Sequence, residues 1–307
     1  MKKLIFILIV LLFVSGCGGM FETSEDDEVT GCPQNFNCAS GNKGVSIEIK
    51  NPPEDMSDND RIIYMGERFK PWFRITDLGE SDVEGEICIG GLSSSIFQSF
   101  PDCDCQDYDI IVQEEDEYFE NNLDLEFPGY NVIQSGVEST MTYINRYYYH
   151  TFGIVDVCLK ENPRDDESGC DPNQEILETS SNAPLKVKTI SQKLSESGTG
   201  SVSLRLDYSV EENADGNVAP YGSLWSGECV YNEVEDPYVA VTFVLFGEEY
   251  GCGTISIEDG EGSDSCTIND IQTSNEQGYI FTSDSHDAYL DFEYVWESRD
   301  SIKFKVE

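Results

Sequence analysis

The chain is poor in positive charge. Its 307 residues carry 18 Lys and Arg against 60 Asp and Glu, a formal net charge of −42. Neutralising a phosphate backbone needs clustered basic side chains, so this balance excludes nucleic acid as a partner. Histidine is scarcer still, with His150 and His286 alone. The chain contains no G-x-S-x-G elbow, no H-E-x-x-H pair and no G-x-x-x-x-G-K-[ST] loop, which removes the common motif-borne hydrolase, zinc-protease and nucleotide chemistries. No Asn begins an N-x-[ST] sequon, so N-glycosylation is not expected. Long stretches with helical periodicity and caps are missing too. The apolar run at residues 4–14 would rise only about 16 Å as a helix, roughly half of a hydrocarbon core.

That run follows Lys2 and Lys3 and ends in Val14-Ser15-Gly16-Cys17. A basic start, a short apolar centre and small residues make a signal peptide. The last four residues resemble the lipobox of lipoproteins, in which the Cys thiol receives a lipid. The resemblance implies removal of residues 1–16 and a lipidated Cys17 as the membrane partner, with the mature chain exported and anchored to the outer face of the cell membrane. The cysteine count fits: of 11, giving one to lipid leaves ten that can pair, and an exported chain permits disulfides. Proximity suggests Cys32 with Cys38, Cys158 with Cys170, and Cys252 with Cys266. Cys88, Cys103, Cys105 and Cys229 remain. Cys103-Asp104-Cys105 lacks the C-x2-C spacing of zinc sites, so disulfides to different partners are the expectation, with Cys88 taking one of the two.

Residues 17–43 hold few apolar side chains and read as a lipidated Cys followed by a tether. From Val45 onward the apolar spacing becomes two. Val202, Leu204, Leu206, Tyr208 and Val210 interleave with Ser201, Ser203, Arg205, Asp207 and Ser209; Leu290, Phe292, Tyr294 and Trp296 alternate with Asp291, Glu293 and Val295. Such alternation marks half-buried strands. Turn chemistry at Asn51-Pro52-Pro53, Pro128-Gly129, Ala214-Asp215-Gly216 and Asp259-Gly260 fits antiparallel packing. The expected fold is all-β: two tandem antiparallel immunoglobulin-like β-sandwich domains, residues 44–183 and 184–307, divided near Asn182-Ala183-Pro184.

The lipobox followed by alternating strands resembles archaeal and bacterial surface lipoproteins with immunoglobulin-like modules of the CARDB type. GVSIEIKNPPEDM, ERFKPWFRITDLGESDVEGEICI and VSLRLDYSVEENADGN carry the likeness. It implies adhesion, assembly or domain spacing at a cell surface, without catalysis.

Between Arg74 and Arg146 lie 71 residues with 17 acids and no Lys or Arg; between Arg205 and Arg299 lie 93 with 21 acids and none. Crowded carboxylates repel one another and favour a bound cation. The densest segments are residues 102–109, 114–117 and 258–264. Calcium, which takes oxygens from flexible acidic loops, is the candidate ion, with Asp102, Asp104, Asp107, Asp259, Glu261 and Asp264 as ligands; no other cofactor is expected. The plainer alternative is a solvated acidic surface. Tyr143, Tyr147 and Tyr149 share one strand face, as core or as a surface for a glycan or protein partner. His150 continues a strand, while His286 lies in a segment that reads as a turn. The functional expectation is a non-catalytic binding, adhesion or spacing module, against two alternatives: an extracellular carboxylate-dependent hydrolase and a calcium-dependent adhesin.

Overall fold

The computed structural model describes residues 44–50, 62–78, 82–111, 122–160, 162–164, 170–198, 200–230, 236–272 and 285–307. The signal peptide, Cys17, the tether with Cys32 and Cys38, and the acidic run at 114–117 lie outside the described residues, as does the side chain of His286.

Among the described residues the chain is all-β, with antiparallel sheets packed face to face. The strands are β1 (Val45–Ile49), β2 (Ile62–Ile63), β3 (Arg68–Phe69), β4 (Trp72–Asp77), β5 (Val83–Gly90), β6 (Phe97–Gln98), β7 (Cys103–Ile110), β8 (Asn122–Glu126), β9 (Tyr130–Val132) and β10 (Val137–Cys158). There follow β11 (Leu177–Ser180), β12 (Leu185–Gly198), β13 (Ser201–Glu212), β14 (Asn217–Ala219), a 3-10 turn at Tyr221–Ser223, β15 (Tyr238–Leu245), β16 (Glu248–Ser256), β17 (Glu261–Gln272) and β18 (Ser285–Val306).

The frame is one long ribbon. β10 and β18 pair antiparallel along all 22 residues, from Val137 opposite Val306 to Cys158 opposite Ser285. At 3.3 Å per residue such a ribbon reaches about 70 Å. Around it grows a sheet in the order β16-β15-β18-β10-β5-β7, with β11 added to β10 and β14 and β2 to β18. Three-stranded sheets cover the two ends of its inner face. β1-β4-β8 brings Phe73 against Tyr143, ring centroids 5.5 Å apart. β12-β13-β17 brings Tyr208 against Phe292 at 5.9 Å. A small sheet, β3-β9-β6, places Phe69 and Phe97 against Phe304.

Alternation decides what is inside. The even residues 202–210 of β13 and 290–296 of β18 are buried, as are Val239, Val241, Phe243 and Leu245 of β15. Tyr143, Tyr147 and Tyr149 belong to the same core. Burying these aromatic and aliphatic side chains on facing sheets supplies the apolar driving force, at about 25 cal/mol per Å². The sheets are also cross-bonded. The Gln192 amide on β12 accepts from the Cys158 amide nitrogen at 2.9 Å and donates to the Cys158 carbonyl at 3.0 Å, completing the hydrogen bonding of the last β10 residue.

At the expected division near Asn182-Ala183-Pro184 the chain is packed into the fold. Ala183, Pro184 and Leu185 are buried, and the Pro184 carbonyl accepts from Asn213. Residues 295–301 of β18 pair with residues 142–148 of β10, the stretch that carries β5, and Lys305 and Val306 pair with β2, so the end of β18 lies in the sheet of the N-terminal strands. The described residues all fall in one compact unit. His286 corrects the turn expected around it: its backbone pairs with Val157 within β18.

Among the described residues four disulfides brace this frame. Cys158–Cys170 and Cys252–Cys266 join the neighbours that sequence proximity suggests, Cys88–Cys105 joins residues directly opposite on β5 and β7, and Cys103–Cys229 spans 126 residues. The last closes a loop worth about 5 kcal/mol, taken alone, in the chain-entropy account.

At the middle of the ribbon three strands place charges in one row. Arg146 stands opposite Glu86 on β5 and Glu297 on β18. Arg146 and Glu86 are fully buried and Glu297 nearly so. Arg146 Nε donates to Glu297 at 2.6 Å, and its Nη1 donates to Glu86 at 3.0 Å and to the Glu228 carbonyl at 2.9 Å. Removing one member strands the others without water. Arg146→Ala is therefore expected to lower the unfolding free energy by about 3–5 kcal/mol, measured by urea denaturation with disulfides intact, whereas Arg74→Ala, at an exposed pair with Asp124, should change it little.

Candidate functional site

The alternation that buries one side of β10 and β18 leaves the other side to the outer surface. Tyr148, His150 and Phe152 of β10 therefore stand beside Tyr289, Asp291 and Glu293 of β18, all half-buried. β15 extends the face through Tyr238, and Tyr221 reaches it from the 3-10 turn.

The rings form a continuous set. Tyr148 meets His150 edge-on at 5.2 Å and Tyr221 edge-on at 5.9 Å; Tyr221 stacks nearly parallel on Tyr238 at 4.9 Å; Phe152 meets Tyr289 edge-on at 5.8 Å. Offset and perpendicular arrangements of this kind satisfy the ring quadrupoles. The carboxylates tie them down. Tyr221 donates its hydroxyl to Glu293 at 2.8 Å, and His150 Nδ1 lies 2.9 Å from Asp291. Burial and the neighbouring Glu293 push the hydroxyls of Tyr148 and Tyr221 to higher pKa. Burial acts downward on His150, but the hydrogen bond to Asp291 and the charges of Asp291 and Glu293 outweigh it, so its pKa is raised.

Chemically, the face offers apolar ring surface next to charge-assisted hydrogen-bond acceptors. The hydrogen bonds that His150 makes among the described residues both go to Asp291, an orientation that a nucleophilic triad would share, but among those residues no hydroxyl hydrogen-bonds to its ring.

The calcium candidates are not drawn together. Asp104 accepts the Tyr130 hydroxyl, whereas Asp107 is exposed on β7 and Asp102 precedes that strand. Asp259 occupies a two-residue hairpin tip with Gly260, both at positive φ (53° and 80°), as a type I′ turn requires. Glu261 is paired with Lys188 at 3.0 Å, and Lys188 also holds Glu211 at 3.2 Å. Asp264 accepts from the Ser265 amide. Glu261 and Asp264 do line an open polar groove of about 710 Å³ with Lys188, Thr254 and Glu258, yet a lysine ammonium already supplies the positive charge there. Among the described residues, the one set of three metal-competent side chains within mutual reach is Cys88, Cys103 and Cys105, all in disulfides.

Tyr221, Tyr238 and the His150–Asp291 pair escape sequence reasoning because register joins them: His150 and Asp291 are 141 residues apart. The available signal was the polar phase of the β18 alternation, which puts Asp291 and Glu293 on one side. No protein-family model and no curated protein matches the chain.

The pKa of His150 sets a pH test. A histidine whose folded pKa is raised adds stability that is present in full below its unfolded value of about 6.5 and is lost as pH rises through the folded value. Asp291→Asn should therefore lower the NMR titration midpoint of His150. Its stability deficit against the parent should be largest below about pH 6 and shrink at alkaline pH.

Proposed function

We propose that the chain is an exported, lipid-anchored surface module that acts by binding or spacing rather than by catalysis. The face of Tyr148, His150, Tyr221, Tyr238, Asp291 and Glu293 is its recognition surface. The supporting observation is the pairing of half-buried rings with carboxylates on a sheet stiffened by a 22-residue ribbon. Rings present apolar faces to the C–H side of a sugar, and carboxylates accept from its hydroxyls. A surface glycan is therefore the ligand class this face suits best, and an open sheet suits a polymer rather than a small enclosed ligand. Anchoring follows from the likeness of Val14-Ser15-Gly16-Cys17 to a lipobox, and the CARDB-type resemblance agrees with such a role.

One observation favours the hydrolase alternative: Asp291 and Glu293 stand two residues apart on the same face beside a histidine of raised pKa. Paired carboxylates are the equipment of glycoside cleavage. Here each already serves a neighbour, Asp291 holding His150 and Glu293 receiving Tyr221, which fits a structural or binding role better.

The test uses purified cell-surface polysaccharide. Binding should weaken at least about tenfold, a loss of about 1.4 kcal/mol, in Tyr148→Ala and Tyr221→Ala, with unchanged circular dichroism and no release of reducing sugar. Polysaccharide cleavage abolished by Glu293→Gln would establish the hydrolase instead. In cells, Cys17→Ala should move the chain from the membrane to the soluble fraction, and persistence in the membrane would contradict the anchor.

A further inference from the structure

The strap Tyr221–Val230 lies across the outer side of the sheet over Arg146. It is held at Tyr221, Ser226, Gly227, Glu228 and Cys229, the Glu228 carbonyl accepting from Arg146 at 2.9 Å. Tyr221 donates to Glu293; Ser226 Oγ accepts from Arg146 at 3.3 Å; the Gly227 amide donates to Glu86 at 3.4 Å; and Cys229 is bonded to Cys103 of β7. Trp225, at positive φ (61°) and 47% exposed, rides on it.

The four described disulfides are not equally open to attack. Cys88, Cys158 and Cys266 are buried, so three bonds have at least one sulfur-bearing residue shielded. In Cys103–Cys229 both partners are half-exposed. Exchange rates depend on access to the attacked sulfur, and this bond offers two half-exposed residues to attack where each of the other three offers one, Cys105, Cys170 or Cys252. A second sulfur pair stands beside it: Cys103 Sγ is 3.5 Å from Cys105 Sγ, and Cys88, Cys103 and Cys105 sulfurs all lie within 4.8 Å of one another.

We propose that Cys103, Cys229, Cys105 and Cys88 form a thiol–disulfide exchange site that takes an external dithiol as reductant and releases the strap. In the first step a thiolate of the dithiol attacks Cys229 Sγ, the Cys103–Cys229 bond breaks and Cys103 leaves as thiolate. The second thiol of the reductant resolves the mixed disulfide, freeing Cys229 as a thiol and converting the dithiol to its own disulfide. In the second step the Cys103 thiolate attacks Cys105 Sγ, a Cys103–Cys105 bond forms, and Cys88 leaves as thiolate and takes up a proton. That step exchanges bonds with no net redox change. Three bunched sulfurs are not in line, so Cys103, once free of Cys229, turns about its Cα–Cβ bond before attacking. The exchange moves the free thiol from the half-exposed rim to buried Cys88, where solution oxidants reach it poorly. The strap is then untied at Cys229 while Tyr221 stays hydrogen-bonded to the ring face, so the redox state of the site reaches the face through one segment.

The test exposes the full oxidised chain to graded dithiothreitol, stops exchange with acid, unfolds the chain in denaturant, labels free thiols there with N-ethylmaleimide and maps the labels by peptide mass. The species with one disulfide opened should carry labels on Cys229 and Cys88, with a Cys103–Cys105 bond, and amide hydrogen exchange should rise several-fold in residues 221–230. Labels on Cys229 and Cys103 alone would overturn the exchange step. First opening at Cys158–Cys170 or Cys252–Cys266 would overturn the site as a whole. A second arm uses Cys229→Ser, which needs no reductant: among the described residues its one free thiol, labelled after unfolding, should be Cys88, and labelling of Cys103 instead would contradict the rearrangement.

Discussion

The fold depends on the pairing of β10 with β18. Two strands 22 residues long, with 126 residues between them, are zipped from end to end. Each of the other sheets either extends this ribbon or packs on it. Long-range strand pairing carries a heavy loop-closure cost before its contacts form, and the disulfides relieve part of it by shortening the loops of the unfolded chain. The charge row of Glu86, Arg146 and Glu297 sits at the ribbon's middle. A buried ion triad adds less net stability than apolar packing of the same volume. What it does impose here is register, because a one-residue slip of either neighbour would turn a carboxylate away from the guanidinium.

The same constraint produces the candidate site. Since the ribbon's inner side must be apolar for two covering sheets, its chemistry is confined to the outer side, where Tyr148, His150, Asp291 and Glu293 fall by alternation alone. The acidity of the chain then has a local meaning. The two base-free stretches contribute Asp291, Glu293 and Glu86 to the sheet, while several of the few bases are spent on named pairs: Arg146 in the core, Lys188 with Glu211 and Glu261, Arg299 with Glu297.

Local features were legible in the sequence because they depend on neighbours. The two-residue period of β13, the hairpin signal of Asp259-Gly260 and the Cys158–Cys170 and Cys252–Cys266 disulfides all require only a few consecutive positions, whereas the sequence left Tyr143, Tyr147 and Tyr149 open between core and surface. The tandem-domain division near Pro184 did not anticipate the shared sheet, because β18 reads locally as the last strand of a C-terminal sandwich and nothing nearby names its partner. Cys103–Cys229 and His150–Asp291 were hidden for the same reason: each joins residues more than 100 apart in sequence, the first through the segment that crosses the sheet and the second through the pairing of β10 with β18. His286 was misread as a turn because Ser, Asp and His cluster there, and pairing with Val157 overrides that local preference.

The central claim is that the ribbon makes one cooperative body of residues that could otherwise pass for two domains. Equilibrium urea unfolding of the oxidised chain, followed together by tryptophan fluorescence and far-ultraviolet circular dichroism, tests it directly. The account predicts one transition with coincident curves from both probes. Two separated transitions, with residues 44–183 keeping native circular dichroism when expressed alone, would contradict it.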